Sequence, residues 1–202
     1  MSGARRGPLT AAALAAALFS LAAVLHAAWI PLKAGLAQRL IERSWRHELA
    51  GEPVPPWPWA DTRAAALLEA PRLRQRLVVL EGNSGRNLAF GPVLLDGTRP
   101  GSDAVINGHR DTHFRFLRDL RHGDRLRLSD RGTGRWYEVS QLEVIDSRQL
   151  ELVLEPGVDR LSLVTCYPFD EAAPGGPLRY VVSAYPVEAE PGVLTPRSPA
   201  SG

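Results

Sequence analysis

Leu161-Ser162-Leu163-Val164-Thr165-Cys166 is an apolar run that ends in the one cysteine of the chain. Its length and apolar content predict a buried strand, and the Tyr167-Pro168 pair behind it predicts a break that exposes the strand end. Because the chain offers Cys166 no disulfide partner, this thiol either fills space in the core or reacts. Position alone leaves both interpretations open.

Two other predicted strands carry a chemically useful residue at one end. Gly108-His109-Arg110-Asp111 follows the apolar run Ala104-Val105-Ile106, and Arg179 opens a third apolar run. If the three strand ends are neighbours, they join a thiolate nucleophile, a proton carrier and a fixed cation for a developing oxyanion. That set of groups performs acyl transfer. Taken singly, His109 is also consistent with a surface loop, and Arg179 with a solvated strand residue.

The composition is that of one folded domain with appendages. The 202 residues include 24 basic and 22 acidic side chains, a net charge of +2, so bulk electrostatics give no case for nucleic-acid binding. One cysteine excludes an intramolecular disulfide framework and a multi-cysteine zinc site. His109, Asp111 and His113 would share a face on a strand and are an alternative zinc set. Because no further cluster completes such a set, we expect no metal.

Short strand-like segments separated by turns fill the chain from Arg74 onward. Many short strands at regular spacing predict a closed barrel or a sandwich rather than a doubly wound α/β fold. Residues 64–68 and 114–120 are typical of short helical insertions. The predicted strands cover residues 76–80, 87–90, 104–107, 125–128, 136–145, 160–165 and 179–185.

Residues 9–30 form a long run with no charged side chain apart from His26. At about 1.5 Å per helical residue, such a run crosses a hydrocarbon core of roughly 30 Å. Arg5 and Arg6 precede it, which predicts a cytoplasmic N-terminus and an exported body, although Lys33 and several arginines behind the run compete with this orientation. A cleaved signal peptide is the alternative. The run is long for a signal peptide, so we expect an uncleaved anchor.

Residues 32–50 are predicted to form a helix with Leu36, Leu40, Trp45 and Leu49 on one side. The glycine and prolines that follow stop any helix and impose an extended connection. We therefore expect four parts: a cytoplasmic tip and transmembrane anchor over residues 1–31, a juxtamembrane helix and proline-rich linker over 32–56, a catalytic domain over 57–186 and a disordered tail over 187–202.

Trp57-Pro58-Trp59-Ala60-Asp61-Thr62 places two tryptophans among the prolines of the linker. Tryptophan is large and mostly apolar, so these rings either cap a groove or pack on the barrel as an apolar lid. Packing is the favoured interpretation.

Three segments, Gly108-His109-Arg110-Asp111, Leu163-Val164-Thr165-Cys166 and Leu178-Arg179, together resemble the signature segments of sortases. The resemblance covers residues 57–186. Longer segments are similar to the class of sortases described in Gram-negative bacteria, namely Trp57-Pro58-Trp59-Ala60-Asp61-Thr62, Asn107-Gly108-His109-Arg110-Asp111-Thr112-His113-Phe114 and Thr165-Cys166-Tyr167-Pro168-Phe169.

The resemblance implies a mainly β chain, with an eight-stranded antiparallel β-barrel and short helices behind an N-terminal transmembrane helix. It also implies a cysteine transpeptidase that needs no cofactor. Cys166 would attack a backbone carbonyl in the C-terminal sorting signal of a secreted protein and form a thioester, which an acceptor amine would resolve. His109 would serve as acid and base, and Arg179 would hold the oxyanion and the substrate.

Two further residues enter as candidate substrate-binding residues. Thr165 precedes the nucleophile, as in the family pattern, and would contact substrate or support the oxyanion site. Asp111 would act beside His109, where it could also orient the imidazole, form a local turn or pair with Arg110. Residues 115–124 and 146–156 are the loops expected to shape the substrate groove.

The expected location is the inner membrane, crossed once, with lipid around the N-terminal helix and the catalytic domain facing the periplasm. The expected partners are the secreted substrate and the acceptor amine, and not nucleic acid. One alternative is a hydrolase, in which water resolves the thioester. Another is a membrane-tethered β-barrel binding module with an inert core cysteine. An L,D-transpeptidase is disfavoured because no histidine closely precedes Cys166.

Overall fold

The computed structural model describes residues 7–82, 84–131, 133–149, 154–155, 157–170 and 176–188. The chain divides into two compact units, residues 1–40 and residues 41–202. One long helix, α1 (Gly7–Leu49), begins in the first unit and ends in the second. It continues through Pro31, so the predicted division between residues 31 and 32 does not coincide with a helix end.

The helix of the first unit is long and apolar enough to cross a membrane. Its large side chains are exposed, including Leu18, Phe19 and Leu25. The core helix of a soluble domain would bury such side chains, whereas a membrane anchor or a signal sequence presents them to lipid. Among the described residues, α1 is therefore the candidate membrane span.

Eight strands in the described part of the second unit close into a barrel. They are β1 (Ala64–Ala70), β2 (Gln75–Glu81), β3 (Val93–Leu94), β4 (Asp103–Asn107), β5 (Arg125–Ser129), β6 (Gly134–Asp146), β7 (Arg160–Cys166) and β8 (Leu178–Val187). Their order around the barrel is β1-β2-β3-β4-β7-β8-β6-β5. The prediction of a mainly β chain with an eight-stranded barrel is confirmed.

The barrel departs from a purely antiparallel one at two places. Among the described strands, β2–β3 and β4–β7 are parallel pairings and the other six are antiparallel. A parallel pair needs a crossover connection. The β4–β7 crossover consists of a 3₁₀ helix, β5 and β6, so β7 arrives beside β4 in the same direction.

Two predicted elements are wrong. Residues 64–68, predicted as helical, form β1, and residues 87–90, predicted as a strand, form a 3₁₀ turn over Asn87–Ala89. The alanines of β1 favour a helix by propensity, but β1 pairs with both β2 and β5 and is buried over most of its length. The helical insertion predicted over residues 114–120 is confirmed as the 3₁₀ helix Arg115–Asp119.

The last turns of α1 pack on the outer surface of β1 and β2. Ile41, Ser44, Trp45 and Glu48 are all buried, and their spacing of three and four residues puts them on one face of the helix. The two apolar members join a second hydrophobic cluster outside the barrel. The sequence correctly placed Trp45 on the buried face of this helix. It wrongly placed Leu36 and Leu49 there, because both are exposed. The other members of this cluster are Ala64, Leu67, Val78, Leu80 and Val93.

Polar contacts fix the same helix end to the barrel. The Ser44 hydroxyl donates a 2.6 Å hydrogen bond to the Val54 carbonyl, which ties the helix to the linker behind it. The buried carboxylate of Glu48 accepts a hydrogen bond from Arg131 in the β5–β6 turn. A buried carboxylate without such a partner would be strongly destabilising, so this ion pair permits the helix to pack where it does.

The two tryptophans of the linker have different surroundings. Trp57 packs edge-to-face against Phe90, with ring centroids 4.9 Å apart, at the margin of the second hydrophobic cluster. Trp59 is 83% exposed. The packing interpretation is therefore confirmed for Trp57 and wrong for Trp59. The predicted disordered tail falls mostly on residues 189–202, which lie outside the described residues, as do residues 150–153 and 156 of one predicted groove loop.

We expect Trp45→Ala to destabilise the barrel unit by about 3–5 kcal/mol, because it removes a buried ring from the contact between α1 and the barrel. Guanidinium chloride unfolding followed by far-UV circular dichroism measures the effect. Trp59→Ala is the matched control, and its exposed ring should change the free energy of unfolding by no more than about 0.5 kcal/mol. Equal effects of the two substitutions would contradict the described packing.

Candidate active site

Cys166 and Arg179 lie directly opposite each other on neighbouring strands. The antiparallel register of β7 and β8 pairs Thr165 with Tyr180 and Cys166 with Arg179. Residues directly opposite in an antiparallel pair point to the same face of the sheet, with Cβ atoms about 4.5–5.5 Å apart. The strand pairing therefore brings the predicted nucleophile and the predicted oxyanion residue together.

His109 comes from the strand on the other side of β7. β4 and β7 are parallel, and their last paired residues are Asn107 and Val164. The Gly108 N–H extends the pairing by donating to the Val164 carbonyl, with an N···O distance of 3.1 Å. His109 is the next residue after Gly108, and Cys166 comes two residues after Val164. The histidine and the cysteine thus leave neighbouring strands at the same end of the barrel.

The pleat of the strands puts the cysteine and the arginine on the outer face of the barrel. Leu163 and Val182 point into the core. Because side chains alternate along a strand, Cys166 and Arg179, each three residues away, point outward. Both are half-buried, and His109 is exposed. A reagent or a peptide from solvent can therefore reach this end of the barrel.

The guanidinium of Arg179 is held by backbone carbonyls. Its Nη1 donates to the Gly176 carbonyl at 2.6 Å and to the Leu178 carbonyl at 2.9 Å. Arginine carries five N–H donors in a fixed planar fork. Within the part of the chain that the structure describes, the Nε and Nη2 donors of Arg179 have no hydrogen-bond partner. These two nitrogens can serve an incoming oxygen.

Thr165 is buried, and its hydroxyl donates a 2.7 Å hydrogen bond to the Gly108 carbonyl. This bond joins the strand that carries the cysteine to the segment that carries the histidine. The proton of the Thr165 hydroxyl is used within the protein, so an interaction with substrate would have to use the oxygen as an acceptor or displace this bond. A substrate role for Thr165 stays a prediction.

The His109 segment folds into a tight turn. The Phe114 N–H donates to the His109 carbonyl at 2.9 Å, and the fully buried Phe114 ring lies against Gly108. A Cβ atom at Gly108 would lie only 2.6 Å from that ring, which is far inside van der Waals contact. Glycine is thus required at this position so that the turn can close next to the strand.

Asp111 lies on the outer side of this turn, with its side chain 70% exposed. Arg110 donates to both of its carboxylate oxygens, at 2.9 and 3.2 Å, so the predicted ion pair is present. The hydrogen bond from Arg110 holds the pKa of Asp111 below its usual range. The carboxylate therefore stays ionised near neutral pH, and a substrate role for it stays a prediction.

The alternative zinc set loses its geometric basis. β4 ends at Asn107, so His109, Asp111 and His113 lie in the turn and not on a strand. Burial lowers the pKa of the His113 imidazole, and the neighbouring His109 lowers it further. Within the described ranges, no group of three histidine, cysteine, aspartate or glutamate side chains has an arrangement that could hold a metal ion.

Three aromatic rings, for which the sequence predicted no role, support the chain just beyond Cys166. Tyr167 stacks on Tyr180 with ring centroids 6.2 Å apart, and Phe169 packs edge-to-face on Tyr180 at 5.1 Å. Tyr180 lies next to Arg179 on β8. The rings therefore link the segment after Cys166 to the strand that carries Arg179. The aromatic residues of the Thr165-Cys166-Tyr167-Pro168-Phe169 segment were the available signal.

The family described as Sortase domain matches residues 68–187. The chain belongs to the sortase family. Members of this family are generally cysteine transpeptidases of the cell envelope. The matched range contains the seven strands from β2 to β8 and the last three residues of β1, together with the three residues gathered at the barrel end.

Individual sortases agree with this assignment. The chain is 32% identical to Sortase D of Bacillus subtilis (strain 168) over 124 residues, which cover 59% of this chain and 62% of that protein. Sortase A from Corynebacterium diphtheriae has 26% identity and a TM-score of 0.57, covering 66% of this chain and 65% of that one. The chain thus spans less than two thirds of the length of each of these relatives.

A third similarity concerns the fold alone. Clostridium perfringens sortase C, solved with the C-terminal cell wall sorting motif, has a TM-score of 0.57 to this chain at 19% identity. The alignment covers 78% of this chain and 90% of that one. The eight-stranded barrel is therefore shared over most of both chains.

We expect Gly108→Ala to lower the stability of the barrel unit by about 1–3 kcal/mol, because the added methyl group collides with the buried Phe114 ring. The clash should also displace the His109 turn. Thermal unfolding by circular dichroism measures the loss. Gly85→Ala is the control, since a Cβ atom there meets nothing within 4 Å, and a melting temperature for Gly108→Ala equal to that of this control would contradict the described contact.

Proposed function

We propose that this chain is a membrane-anchored cysteine transpeptidase that joins a secreted protein to an amine. Cys166 is the nucleophile, His109 is the acid and base, and Arg179 stabilises the oxyanion. The observation that carries the proposal is the cross-strand pairing of Cys166 with Arg179 on β7 and β8, beside the end of β4 from which His109 emerges. Cys166 and Arg179 face outward from neighbouring strands, and His109 lies in the turn that follows β4 at the same end of the barrel.

In the first half of the reaction, the Cys166 sulfur, whose proton His109 has taken, attacks the carbonyl carbon of the scissile peptide bond. Negative charge develops on the carbonyl oxygen, where the Nε and Nη2 donors of the Arg179 guanidinium stabilise it. His109 gives a proton to the departing amine as the C–N bond breaks. The products of this half are a thioester on Cys166 and the released C-terminal fragment.

In the second half, an acceptor amine attacks the thioester carbonyl. His109 takes the proton that the amine loses on forming the new amide bond, and the Cys166 sulfur departs as the C–S bond breaks. The imidazole returns to its starting protonation state. The reaction therefore needs no group beyond these three side chains, and we propose that it uses no cofactor.

The substrate that we propose is the C-terminal sorting signal of a secreted protein. Support comes from the family and from the C. perfringens relative, which was solved with a C-terminal cell wall sorting motif. The groove would be formed by the chain after Cys166 and by the loops over residues 115–124 and 146–156. Thr165 and Asp111 lie next to the reacting groups and are proposed to assist substrate binding.

The proposed location is the inner membrane, with α1 as a single-pass anchor and the barrel unit in the periplasm. The apolar, unburied helix supports anchoring, and the arginines before it support an N-terminus in the cytoplasm. The tryptophan-containing linker and the segments around His109 and Cys166 are the basis for assigning the chain to the class described in Gram-negative bacteria. The proposed parts of the chain are a cytoplasmic tip and anchor over residues 1–31, a juxtamembrane helix and linker over 32–56, a catalytic domain over 57–186 and a tail over 187–202.

Hydrolysis of the thioester by water is the second candidate function. The exposure of His109 favours it, because water reaches the group that would activate a nucleophile. The two functions differ in the product: an added amine yields a new amide in transpeptidation and leaves only free acid in hydrolysis. A non-catalytic binding module is disfavoured, because a structural cysteine is expected to be buried and Cys166 is half-exposed.

We expect Cys166→Ala to abolish thioester formation, because the variant has no thiol left in the chain. Intact-mass spectrometry after incubation with a library of sorting-type peptides detects the adduct in the unmodified protein. Val164→Ala, two residues earlier on the same face of β7, is the matched control and should still form the adduct. Turnover by Cys166→Ala would exclude the proposed mechanism.

We expect Arg179→Lys to lower the rate of thioester formation by about 10²–10³-fold, because an ammonium group cannot reproduce the planar fork of donors at the oxyanion. Single-turnover mass spectrometry measures this rate. Arg74→Lys, in the exposed turn between β1 and β2, is the control and should react at the unmodified rate. A rate for Arg179→Lys within threefold of the control would remove the arginine from the mechanism.

A further inference from the structure

Arg110 lies between the segment that carries His109 and the segment that carries Cys166. Its side chain is only 6% exposed. The Nη1 atom donates a 2.6 Å hydrogen bond to the carbonyl of Pro168, which lies 58 positions away in sequence. The Nε and Nη2 atoms contact the carboxylate of its neighbour Asp111. One guanidinium therefore spans the gap between the two catalytic segments.

The hydrogen bond from Arg110 to Pro168 adds a second connection between the segments that carry His109 and Cys166. On the strand side, the Gly108 N–H donates to the Val164 carbonyl and the Thr165 hydroxyl donates to the Gly108 carbonyl. Those bonds end one residue before His109 and one residue before Cys166. The bond from Arg110 to Pro168 holds the same two segments just past their reacting residues. The imidazole and the thiol each lie between two fixed points.

The energetics of Arg110 favour a positioning role over a purely stabilising one. Burying a guanidinium is costly, and replacing a buried ion pair by apolar residues is often neutral or stabilising. The partner of Arg110, Asp111, is 70% exposed, so water screens their attraction. The geometry of the fork, with one arm on Pro168 and the other on Asp111, is what a lysine or an apolar side chain could not supply.

We propose that Arg110 is a positioning residue that fixes His109 beside Cys166 by tying the His109 turn to the carbonyl of Pro168. The effect of Arg110 on turnover rests on the proposed function. The placement of the His109 imidazole next to the Cys166 thiol can be tested without any substrate. A misplacement of about 1 Å between reacting groups can cost about 10²-fold in rate. Arg110 therefore acts through His109 and not on the substrate itself.

The test is a double-mutant cycle on the full-length protein in detergent. The variants are Arg110→Lys, His109→Ala and both together, and the readout is the rate of Cys166 alkylation by iodoacetamide, measured by intact mass. An adjacent imidazole promotes thiolate reactivity, so we expect His109→Ala and Arg110→Lys each to slow alkylation about tenfold. If Arg110 works through His109, the double variant is no slower than His109→Ala alone.

Arg131→Lys is the matched control. Like Arg110, Arg131 bonds a carboxylate, here the buried one of Glu48, but it lies at the opposite end of β6 from the strand ends that carry Cys166 and Arg179. It should leave alkylation unchanged. Circular dichroism verifies folding of each variant. If Arg110→Lys does not fold, Arg110→Met, which keeps a long unbranched side chain but has no N–H donor for the Pro168 carbonyl, takes its place in the same cycle.

Losses that multiply in the double variant would overturn the proposal, because Arg110 would then act independently of His109. So would an unchanged alkylation rate in either single variant.

In peptide turnover we expect Arg110→Lys to lower kcat about 10- to 100-fold with KM within about threefold. An increase in KM with an unchanged kcat would contradict a positioning role. Absence of any peptide adduct in the unmodified protein would reject the proposed function while the alkylation cycle still decides the role of Arg110.

Discussion

The parallel pairing of β4 with β7 is the constraint on which the rest of the barrel depends. It joins residues 103–107 to residues 160–164 across a crossover that includes β5 and β6. At one end of this pair, buried Asp103 binds the guanidinium of Arg160 and the N–H of Glu155. At the other end, the same register delivers His109 and Cys166 to one edge. A shift of one residue would turn the outward-facing thiol into the core.

Closure of the barrel also explains why β1 accepts an alanine-rich sequence. β1 is covered by the barrel core on one face and by the last turns of α1 on the other. Small side chains let the helix approach the sheet closely, and Trp45 and Ile41 fill the remaining space. A sequence that by itself favours a helix therefore becomes a strand, because its pairing partners and its burial outweigh local propensity.

The candidate site residues could be proposed because each lies at one end of an apolar run, and strand ends are where a sheet presents polar groups. Cys166, His109 and Arg179 could thus be named from the sequence, and the register brings the three strand ends together. Arg110 could not be identified in the same way. Its importance comes from one hydrogen bond to Pro168, and a proline carbonyl carries no sequence signal that it will be an acceptor.

What the sequence by itself determined is the set of local runs: an apolar N-terminal helix, a series of short strands, and the chemistry at three strand ends. Those features follow from residue type and periodicity within a few positions. Only the tertiary structure decided which strands are parallel, that Trp57 packs on Phe90 while Trp59 stays exposed, and that the Thr165 hydroxyl bonds Gly108. These outcomes depend on contacts between residues far apart in the chain, and such contacts form only when the barrel closes.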